Sequence, residues 1–242
     1  MNAKPDKLHI VLLSVHGLIR GHDLELGRDA DTGGQTKYVV ELARALGRNP
    51  RVGRVDLMTR LVADPQVGDD YARPIEPLGE GVRIVRVACG EKGYIPKEDL
   101  WDCLDNFADN ALDFLRSEDA HPHLVHSHYA DAGYVCNRIS HQLNIPLIHT
   151  GHSLGRSKRK QLLAGGMKRD DIEQRYNISR RIDAEEEGLG TADCIITSTR
   201  QEIIEQYGMY DYYQPERMKV IPPGTDLEKF YPAQGDEYDS DI

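Results

Sequence analysis

The sequence predicts an α/β fold, a Rossmann-like parallel sheet with helices on both faces. Short apolar runs alternate along the chain with segments of helical periodicity, which is the pattern of repeated strand–helix units. The first run, Leu8–Val15, is almost continuously apolar, as strands buried on both faces are. Long polar loops follow several of these runs, and ligands of such sheets bind beyond the carboxyl ends of the strands.

Strands and helices can be assigned in order along the chain. The strands are short runs rich in aliphatic and β-branched residues: Leu8–Val15, Val55–Thr59, Val82–Val87, Leu124–His128, Leu147–Thr150, Cys194–Thr197 and Lys219–Ile221. The helices place apolar residues three or four positions apart: Thr36–Gly47, Leu100–Leu115, Ala132–Leu143, Ile172–Gly188 and Arg200–Tyr207. We expect the loops after four strands to converge on one cleft: Gly17–Gln35, Tyr129–Asp131, Gly151–Lys160 and Pro222–Asp226.

Composition excludes several classes of protein. Lysine and arginine total 30 against 40 acidic residues, and this net charge of −10 argues against general nucleic-acid binding. Any anionic ligand must therefore be held by a local cluster of cations. No apolar stretch approaches the roughly 20 residues of a membrane helix, and the polar N-terminus lacks a signal-peptide core, so we expect a cytoplasmic protein. Residues 233–242 are acidic and read as a solvated linker after one domain at 1–232.

The loop after the first strand carries the strongest functional signal. It is several times longer than the usual connection of about 2–6 residues, and it ends in Gly33, Gly34 and Gln35 directly before a predicted helix. Unpaired N–H groups at a helix start attract anions, and glycine lets the main chain approach a ligand closely because it has no Cβ. We interpret these three residues as part of a binding site.

The segment Thr150–Lys160 is the second signal. His152 directly follows a buried strand, where a histidine either exchanges hydrogen bonds with a sugar hydroxyl or satisfies a buried carbonyl. Lys158, Arg159 and Lys160 follow within eight residues of it. They form either an anion site or a solvated basic face.

Arg180 and Arg181 lie in a long predicted helix. The planar fork of arginine suits a phosphate, so either residue together with Lys158 could hold a phosphate dianion. Adjacent helical residues point about 100° apart, so at most one of the two faces the cleft directly. The alternative is ion pairing with Asp183 or Glu185.

Other polar residues are candidates for the same cleft. Lys92 and Lys97 bracket the segment 93–96, and either could reach a sugar phosphate. The histidines of 121–128 suggest a metal, but no carboxylate or thiol accompanies them at a metal-like spacing, so we predict no metal site. We expect His128, Tyr129 and Asp131 to line the cleft instead.

Absent motifs narrow the function further. The sequence contains no Walker-type loop, no Gly-x-Gly-x-x-Gly and no nucleophile elbow, which argues against a nucleoside triphosphatase, an ordinary dehydrogenase and an α/β-hydrolase. Its four cysteines form no Cys-x-x-Cys pair, so neither a zinc ribbon nor a redox motif is indicated. No cofactor is predicted.

Long motifs spread over nearly the whole chain resemble the sucrose-phosphate synthase family. They are His16-Gly-Leu-Ile-Arg-Gly21, Asp31-Thr-Gly-Gly-Gln-Thr-Lys37, Tyr94-Ile-Pro-Lys-Glu98, His126-Ser-His-Tyr-Ala-Asp-Ala-Gly133, Thr150-Gly-His-Ser-Leu-Gly155 and Ile221-Pro-Pro-Gly-Thr-Asp226. The resemblance implies retaining hexosyltransferases of the GT-B fold, in which two Rossmann-like domains face each other across a cleft. The N-terminal domain would bind fructose 6-phosphate, and the C-terminal domain would bind UDP-glucose.

The resemblance also implies roles for individual residues. Gly33, Gly34 and Gln35 would form the substrate-binding loop at the reacting centre, where Gln35 would bind acceptor hydroxyls and Gly34 would approach the donor diphosphate. His152 would contact the donor sugar. The 6-phosphate would be held by Lys158 with Arg180 or Arg181, and Lys92 would correspond to a substrate-binding lysine of the family.

Alternatives remain open at this point. A related synthase could use another donor, as mannosylfructose-phosphate synthase does, and a sucrose synthase would take unphosphorylated fructose. A non-catalytic sugar-phosphate-binding module is an alternative of a different class. The second domain has no counterpart in the 242 residues, so we expect this chain alone to be inactive, as a truncated or a split enzyme.

Overall fold

One mixed sheet organises the described part of the chain. The computed structural model describes residues 7–118 and 121–227, so the predicted acidic tail at 233–242 lies outside the described residues. The strands are β1 (Leu8–Leu13), β2 (Val52–Arg60), β3 (Ile75–Gly79), β4 (Val82–Val87), β5 (Leu124–His128), β6 (Leu147–Thr150), β7 (Cys194–Thr197) and β8 (Met218–Val220). Their spatial order is β3-β4-β2-β1-β5-β6-β7-β8, and every neighbouring pair is parallel except β3 with β4.

Helices pack on both faces of this sheet. They are α1 (Gly34–Gly47), α2 (Leu104–Ser117), α3 (Ala130–Leu143), α4 (Gly155–Ala164), α5 (Arg169–Tyr176) and α6 (Ile178–Thr191). None of the helices in the described ranges combines the length and apolar character needed to cross a lipid bilayer. The predicted α/β class with a parallel sheet is confirmed.

The core explains why the first strand is apolar throughout. Ile10 and Leu12 of β1 belong to the apolar cluster under α1, whereas Val11 and Leu13 belong to the cluster that includes α2 and α3. Successive side chains of a strand point to opposite faces, so a central strand covered on both faces needs apolar residues at every position.

The strand order places a crevice beside β1. The chain leaves β1 toward β2 on one side, whereas β5 pairs with the other edge of β1. At such a switch point the two following loops diverge and leave an opening outside the carboxyl ends of the strands. The loops that begin at His16 and Tyr129 border this opening.

The structure corrects three element assignments. The segment predicted as the loop Gly151–Lys160 runs into helix α4, and the single helix predicted over Ile172–Gly188 is two helices that meet at Asn177. Asn177 has the left-handed values φ 46° and ψ 41°, which asparagine tolerates, and its Nδ2 donates to Glu98 O at 2.7 Å. The predicted helix Arg200–Tyr207 is instead a π-helical turn at Glu202–Gln206 followed by a 3₁₀ turn.

The sequence patterns did not predict strand β3. It is an antiparallel edge strand that contains Pro77 and ends at Gly79. Proline cannot donate to a sheet ladder and glycine weakens a strand, so both residues argue against a strand unless it lies at an edge.

Candidate functional site

A cleft of about 750 Å³ lies beyond the carboxyl ends of β1, β5 and β6. Three of the four predicted loops contribute to it, together with helices α4, α5 and α6, the segment at Lys97 and Glu98, and the turn at Gln206. Its lining residues are His16, Ala30, Asp31, Gly33, Gly34, Gln35, Lys97, Glu98, Tyr129, Ser153, Leu154, Ser157, Lys158, Gln161, Arg175, Tyr176, Arg181 and Gln206. The fourth predicted loop, Pro222–Asp226, instead contributes Pro223 to a smaller pocket, which His152 also lines.

The N-terminus of α1 opens into the cleft. Gly33 occupies the N-cap position, so no side chain caps the helix, and its first turn contains no acidic residue. A Cβ built at Gly33 or Gly34 would meet nothing within 4 Å, and neither residue has a positive φ. The fold itself therefore does not require glycine at either position, and the open space accommodates a ligand against the main chain.

Gln35 is oriented by the strands behind it. Its Nε2 donates to Ser14 Oγ at 3.0 Å and to His128 O at 3.3 Å. These two contacts tie the side chain to the ends of β1 and β5. The amide of Gln35 is thereby held at the wall of the cleft.

Four cations line the cleft: Lys97, Lys158, Arg175 and Arg181. Lys158 Nζ lies 3.8 Å from the centre of the Tyr176 ring and 3.9 Å from Glu98 Oε1. Burial lowers the pKa of Lys158, and the positive charges of Arg181 and Lys97 lower it further against the opposing effect of Glu98. Lys158 is thus a partly desolvated cation beside Arg181, Lys97 and two carboxylates, and a bound anion would stabilise its charge.

Arg181 is held rigidly beneath the cleft. Its Nε donates to Glu185 Oε1 at 2.9 Å, and its NH2 donates to Ser153 O and Oγ at 2.7 and 3.0 Å. The guanidinium also lies 4.4 Å from the centre of the Tyr129 ring. Both Arg181 and Glu185 are buried, so Glu185 compensates the buried charge of Arg181 and positions it.

Arg180 and Lys92 lie outside the cleft lining. The Arg180 side chain is 51 % exposed and donates to Asp102 Oδ1 at 2.6 Å and to Trp101 O at 3.0 Å. Lys92 is exposed, and its carbonyl accepts a hydrogen bond from Ala63 N at 2.7 Å. Of the two lysines that bracket residues 93–96, Lys97 is the one that lines the cleft.

Asp131 lies behind the cleft rather than in its wall. It is buried, and its Oδ2 accepts from His16 Nδ1 at 2.7 Å. The His16 ring lines the cleft and packs edge-on against Tyr129 at 4.6 Å. Asp131 therefore fixes the orientation of His16.

Two residues at the strand ends have unusual backbone conformations. Tyr129 has φ 82° and ψ 171°, a region that glycine alone adopts readily, and His152 has φ 58°. Such conformations cost on the order of 1–3 kcal/mol and cluster at functional sites. Both residues directly border the cleft or its neighbouring pocket.

His152 is a neutral imidazole near pH 7. Burial lowers its pKa to about 4, and the nearby His149 and His16 contribute in the same direction. Its Nε2 lies 3.0 Å from His128 Nδ1, and Tyr38 packs edge-on against its ring at 5.1 Å. The ring can therefore exchange a hydrogen bond with a ligand without carrying a charge.

The sequence matches the family described as sucrose synthase first GT-B domain over residues 1–227. The chain belongs to this family. Its GT-B domain is 44 % identical over 279 residues to sucrose-phosphate synthase 4 from Arabidopsis thaliana and 45 % identical over 278 residues to a probable sucrose-phosphate synthase from Solanum tuberosum. These alignments cover 97 % and 95 % of the chain but 26 % of each relative, so the chain spans about a quarter of the curated relatives' length.

Solved structures support the same fold. The GT-B domain matches a sucrose-phosphate synthase from Thermosynechococcus elongatus with a TM-score of 0.74 and 29 % identity, over 94 % of this chain and 51 % of that one. The catalytic domain of starch synthase IV from Arabidopsis thaliana matches with a TM-score of 0.56 at 14 % identity, which concerns the fold alone. The GT-B architecture expected from the sequence motifs is confirmed.

Sequence reasoning missed several residues of the GT-B cleft. His16 belongs to the quoted N-terminal motif, but no argument singled it out as a site residue. Arg175 lies in α5, whose weak apolar pattern carried no functional signal. Its position six residues before Arg181 was the available clue, because a second arginine on the following helix could share one anion.

Proposed function

We propose that this domain is the acceptor-binding half of a sucrose-phosphate synthase. The complete enzyme would transfer glucose from UDP-glucose to fructose 6-phosphate, giving sucrose 6-phosphate and UDP. The observation that carries the proposal is the cluster of four cleft cations in a chain whose net charge is −10. An acidic protein that concentrates cations in a cleft beyond the strand ends is suited to a phosphorylated substrate.

Lys158 and Arg181 bind the 6-phosphate in this proposal, with Lys97 and Arg175 extending the positive wall. Arg181 offers its NH1 group in a fixed direction, since Glu185 holds its Nε and Ser153 holds its NH2. Lys158 supplies a mobile point charge. Arg180 takes no part, because its guanidinium pairs with Asp102 outside the cleft.

The remaining residues place the reacting groups. Gly33 and Gln35 contact acceptor hydroxyls, while the backbone at Gly34 and the α1 N-terminus face the donor diphosphate. Neutral His152 contacts the donor sugar. UDP-glucose is held mainly by sequence outside this domain, so the domain alone gives little or no sucrose 6-phosphate.

Carboxylates of the cleft wall are engaged in ion pairs rather than poised as nucleophiles. Asp31 pairs with Lys97, and its Oδ2 accepts from Tyr94 OH at 2.9 Å. Burial acts to raise the pKa of Asp31, but the hydrogen bonds from Lys97 outweigh it and lower the pKa. We infer that the acceptor oxygen attacks on the face that UDP leaves, which retains configuration, and that the protein contributes orientation and charge stabilisation.

Calorimetric titration of the purified chain tests the acceptor assignment. We expect fructose 6-phosphate to bind and fructose to bind at least tenfold more weakly, because charge-assisted hydrogen bonds to the phosphate contribute roughly 1.5–3 kcal/mol each. Equal binding of both sugars would instead favour a sucrose synthase. Turnover of UDP-glucose by this chain alone would contradict the division of substrates between two domains.

A matched pair of substitutions locates the phosphate. Lys158→Ala removes a cation in the cleft, and Arg180→Ala removes a cation outside it. We expect Lys158→Ala to weaken fructose 6-phosphate binding about 10–100-fold and Arg180→Ala to change it less than about twofold. Equal losses in the two variants would place the phosphate elsewhere.

A further inference from the structure

His128 and His152 form a pair of directly bonded imidazoles at the ends of two neighbouring strands. His128 is the last residue of β5, and it pairs in register with Thr150, the last residue of β6. His152 follows two residues later, in a left-handed conformation that brings its Nε2 to 3.0 Å from His128 Nδ1. One of these two nitrogens must carry the hydrogen and the other must accept it.

The surroundings of His128 decide which nitrogen donates. The ring of His128 is completely buried, and its Nε2 has no hydrogen-bond partner among the residues described by the structure. If His152 were the donor, neutral His128 would carry its hydrogen on Nε2, as a buried N–H with no acceptor. Orphaned buried N–H groups are rare and costly, whereas an unpaired acceptor is tolerated more often.

We propose that His128 is a positioning residue that donates from Nδ1 to Nε2 of His152 and so holds His152 as the tautomer protonated on Nδ1. The Nε2 lone pair of His152 is then occupied by His128. Its Nδ1–H, which has no partner among the described side chains, is the group left for a ligand. His152 would accordingly present a hydrogen-bond donor, not an acceptor.

The pair is embedded in a packed set of rings that leaves little freedom for rotation. His126 packs against His128 with ring centroids 4.2 Å apart and is itself bonded to Thr150 Oγ1 at 2.9 Å. Tyr38 contacts both His128 and His152 edge-on, at 5.8 and 5.1 Å. A ring flip of His128 would break its bond to His152 against these neighbours, so packing maintains the ring orientations in which Nδ1 of His128 faces Nε2 of His152.

A donor at this position has a chemical consequence. An N–H can donate to a sugar hydroxyl or to oxygen that gains negative charge as a nucleotide leaves, whereas an imidazole lone pair would repel that charge. This consequence rests on the proposed role of His152 at the donor sugar. The tautomer itself does not rest on that role.

Two-dimensional NMR of ring nitrogens in the ¹⁵N-histidine-labelled chain tests the inference without any substrate. The protonated and the lone-pair nitrogens of a neutral imidazole resonate far apart, and loss of signals in His152→Asn identifies those of His152. We expect the protonated nitrogen of His152 to be Nδ1 at pH 7.5. Protonation at Nε2 would overturn the proposal.

Substitution of His128 tests its positioning role. His128→Asn keeps an N–H donor close to the position of Nδ1, so we expect the wild-type tautomer to be retained. His128→Phe fills the space without a donor, and we expect loss of the single tautomer, with both nitrogens of His152 shifting toward averaged values. An unchanged pattern in His128→Phe would overturn the role of His128.

A folding defect in a variant can be distinguished from a change in the tautomer of His152. If His128→Phe does not give a dispersed amide spectrum, the wild-type spectrum carries the test, and protonation of His152 at Nε2 in that spectrum overturns the proposal. Fructose 6-phosphate binding is measured on the same samples. Failure to bind that ligand would contradict the proposed function and leave the ligand-free tautomer measurement valid.

Discussion

Lys158 illustrates how the cleft acquires its chemistry at the scale of single residues. The basic run 158–160 reads equally well as a solvated surface, and position on the helix distinguishes its members: Lys158 lines the cleft, whereas Arg159 and Lys160 do not. Burial lowers the pKa of Lys158 most, and the neighbours Arg181 and Lys97 lower it further because they destabilise another positive charge. A bound phosphate dianion would raise the pKa of Lys158 again, because it stabilises the positive charge.

The affinity for fructose 6-phosphate should therefore fall with rising pH in the alkaline range. Lys158 binds the phosphate in its protonated form, and its lowered pKa means that it loses this form at a lower pH than an ordinary lysine. The phosphate stays a dianion above about pH 7, since its second pKa is about 6, so it does not cause the decline. Calorimetry at several pH values between 7.5 and 9.5 measures the slope.

Lys158→Arg is the control for this pH dependence. Arginine remains charged over the whole range, so we expect a flatter pH profile even if the absolute affinity changes. Identical slopes for the wild type and Lys158→Arg would assign the titration to another group.

At the scale of elements, helix α4 depends on a long-range contact at its first residue. Gly155 N donates to both carboxylate oxygens of Glu185, at 3.0 and 2.9 Å, and Glu185 also accepts from Tyr210 OH. The contact brings Glu185 to the unpaired N–H groups of the helix start, where a negative charge is favourable. It also links α4, which carries Lys158, to α6, which carries Arg181.

Gly155→Ala should disrupt this junction. A Cβ at residue 155 would lie 2.8 Å from Glu185 Oε2 and 2.8 Å from Ile182 Cγ1, so these side chains or the two helices must shift. We expect a loss of about 1–3 kcal/mol in the free energy of unfolding, measured by urea denaturation, and weaker binding of fructose 6-phosphate.

Gly188→Ala provides the matched comparison. Gly188 lies within α6, and a Cβ there would meet nothing within 4 Å. We expect this variant to gain roughly 0.5–1 kcal/mol because alanine restricts the unfolded chain and favours the helix. Similar effects in both variants would show that helix propensity, rather than the Glu185 contact, controls residue 155.

At the scale of the whole molecule, the parallel sheet buries a group of neutral histidines beside the cleft. Burial lowers the pKa of His126 to about 3 and those of His149 and His152 to about 4. These rings form hydrogen bonds as neutral groups. For example, Ser127 Oγ lies 2.8 Å from His149 Nδ1. In the unfolded chain the same histidines would bind protons near pH 6.5.

The domain should consequently lose stability as the pH falls from about 6.5 toward 4. In this window the unfolded state binds more protons than the folded state, so the free energy of unfolding decreases with decreasing pH. Each such histidine contributes about 1–2 kcal/mol of this loss by pH 5, since one pH unit corresponds to about 1.4 kcal/mol. Urea denaturation at pH 7 and pH 5 measures the difference.

Histidine substitutions separate this effect from the titration of carboxylates. His149→Asn removes one buried imidazole and should reduce the pH dependence of the free energy of unfolding. His141→Asn, at an exposed position, should leave it nearly unchanged. If both variants keep the wild-type dependence, buried histidines are not the cause of the acid sensitivity.

The sequence by itself determined the fold class, most of the strands and the loops that border the cleft. Apolar runs such as Leu8–Leu13 are buried in the middle of the sheet, and loops after parallel strands must emerge at the same edge. Gly33, Gly34 and Gln35 could be predicted as cleft residues, because glycines at the start of a helix are visible in the local sequence.

Only the tertiary structure decided which cations face the cleft and where α4 begins. Arg180 and Arg181 are chemically equivalent neighbours. Arg180 pairs with Asp102 outside the cleft, whereas Arg181 pairs with Glu185 and is held beneath the cleft. Lys92 and Lys97 likewise differ only in their contacts. A local pattern of residue types contains no information about such partners, because packing between distant elements decides which side of a helix or loop is buried.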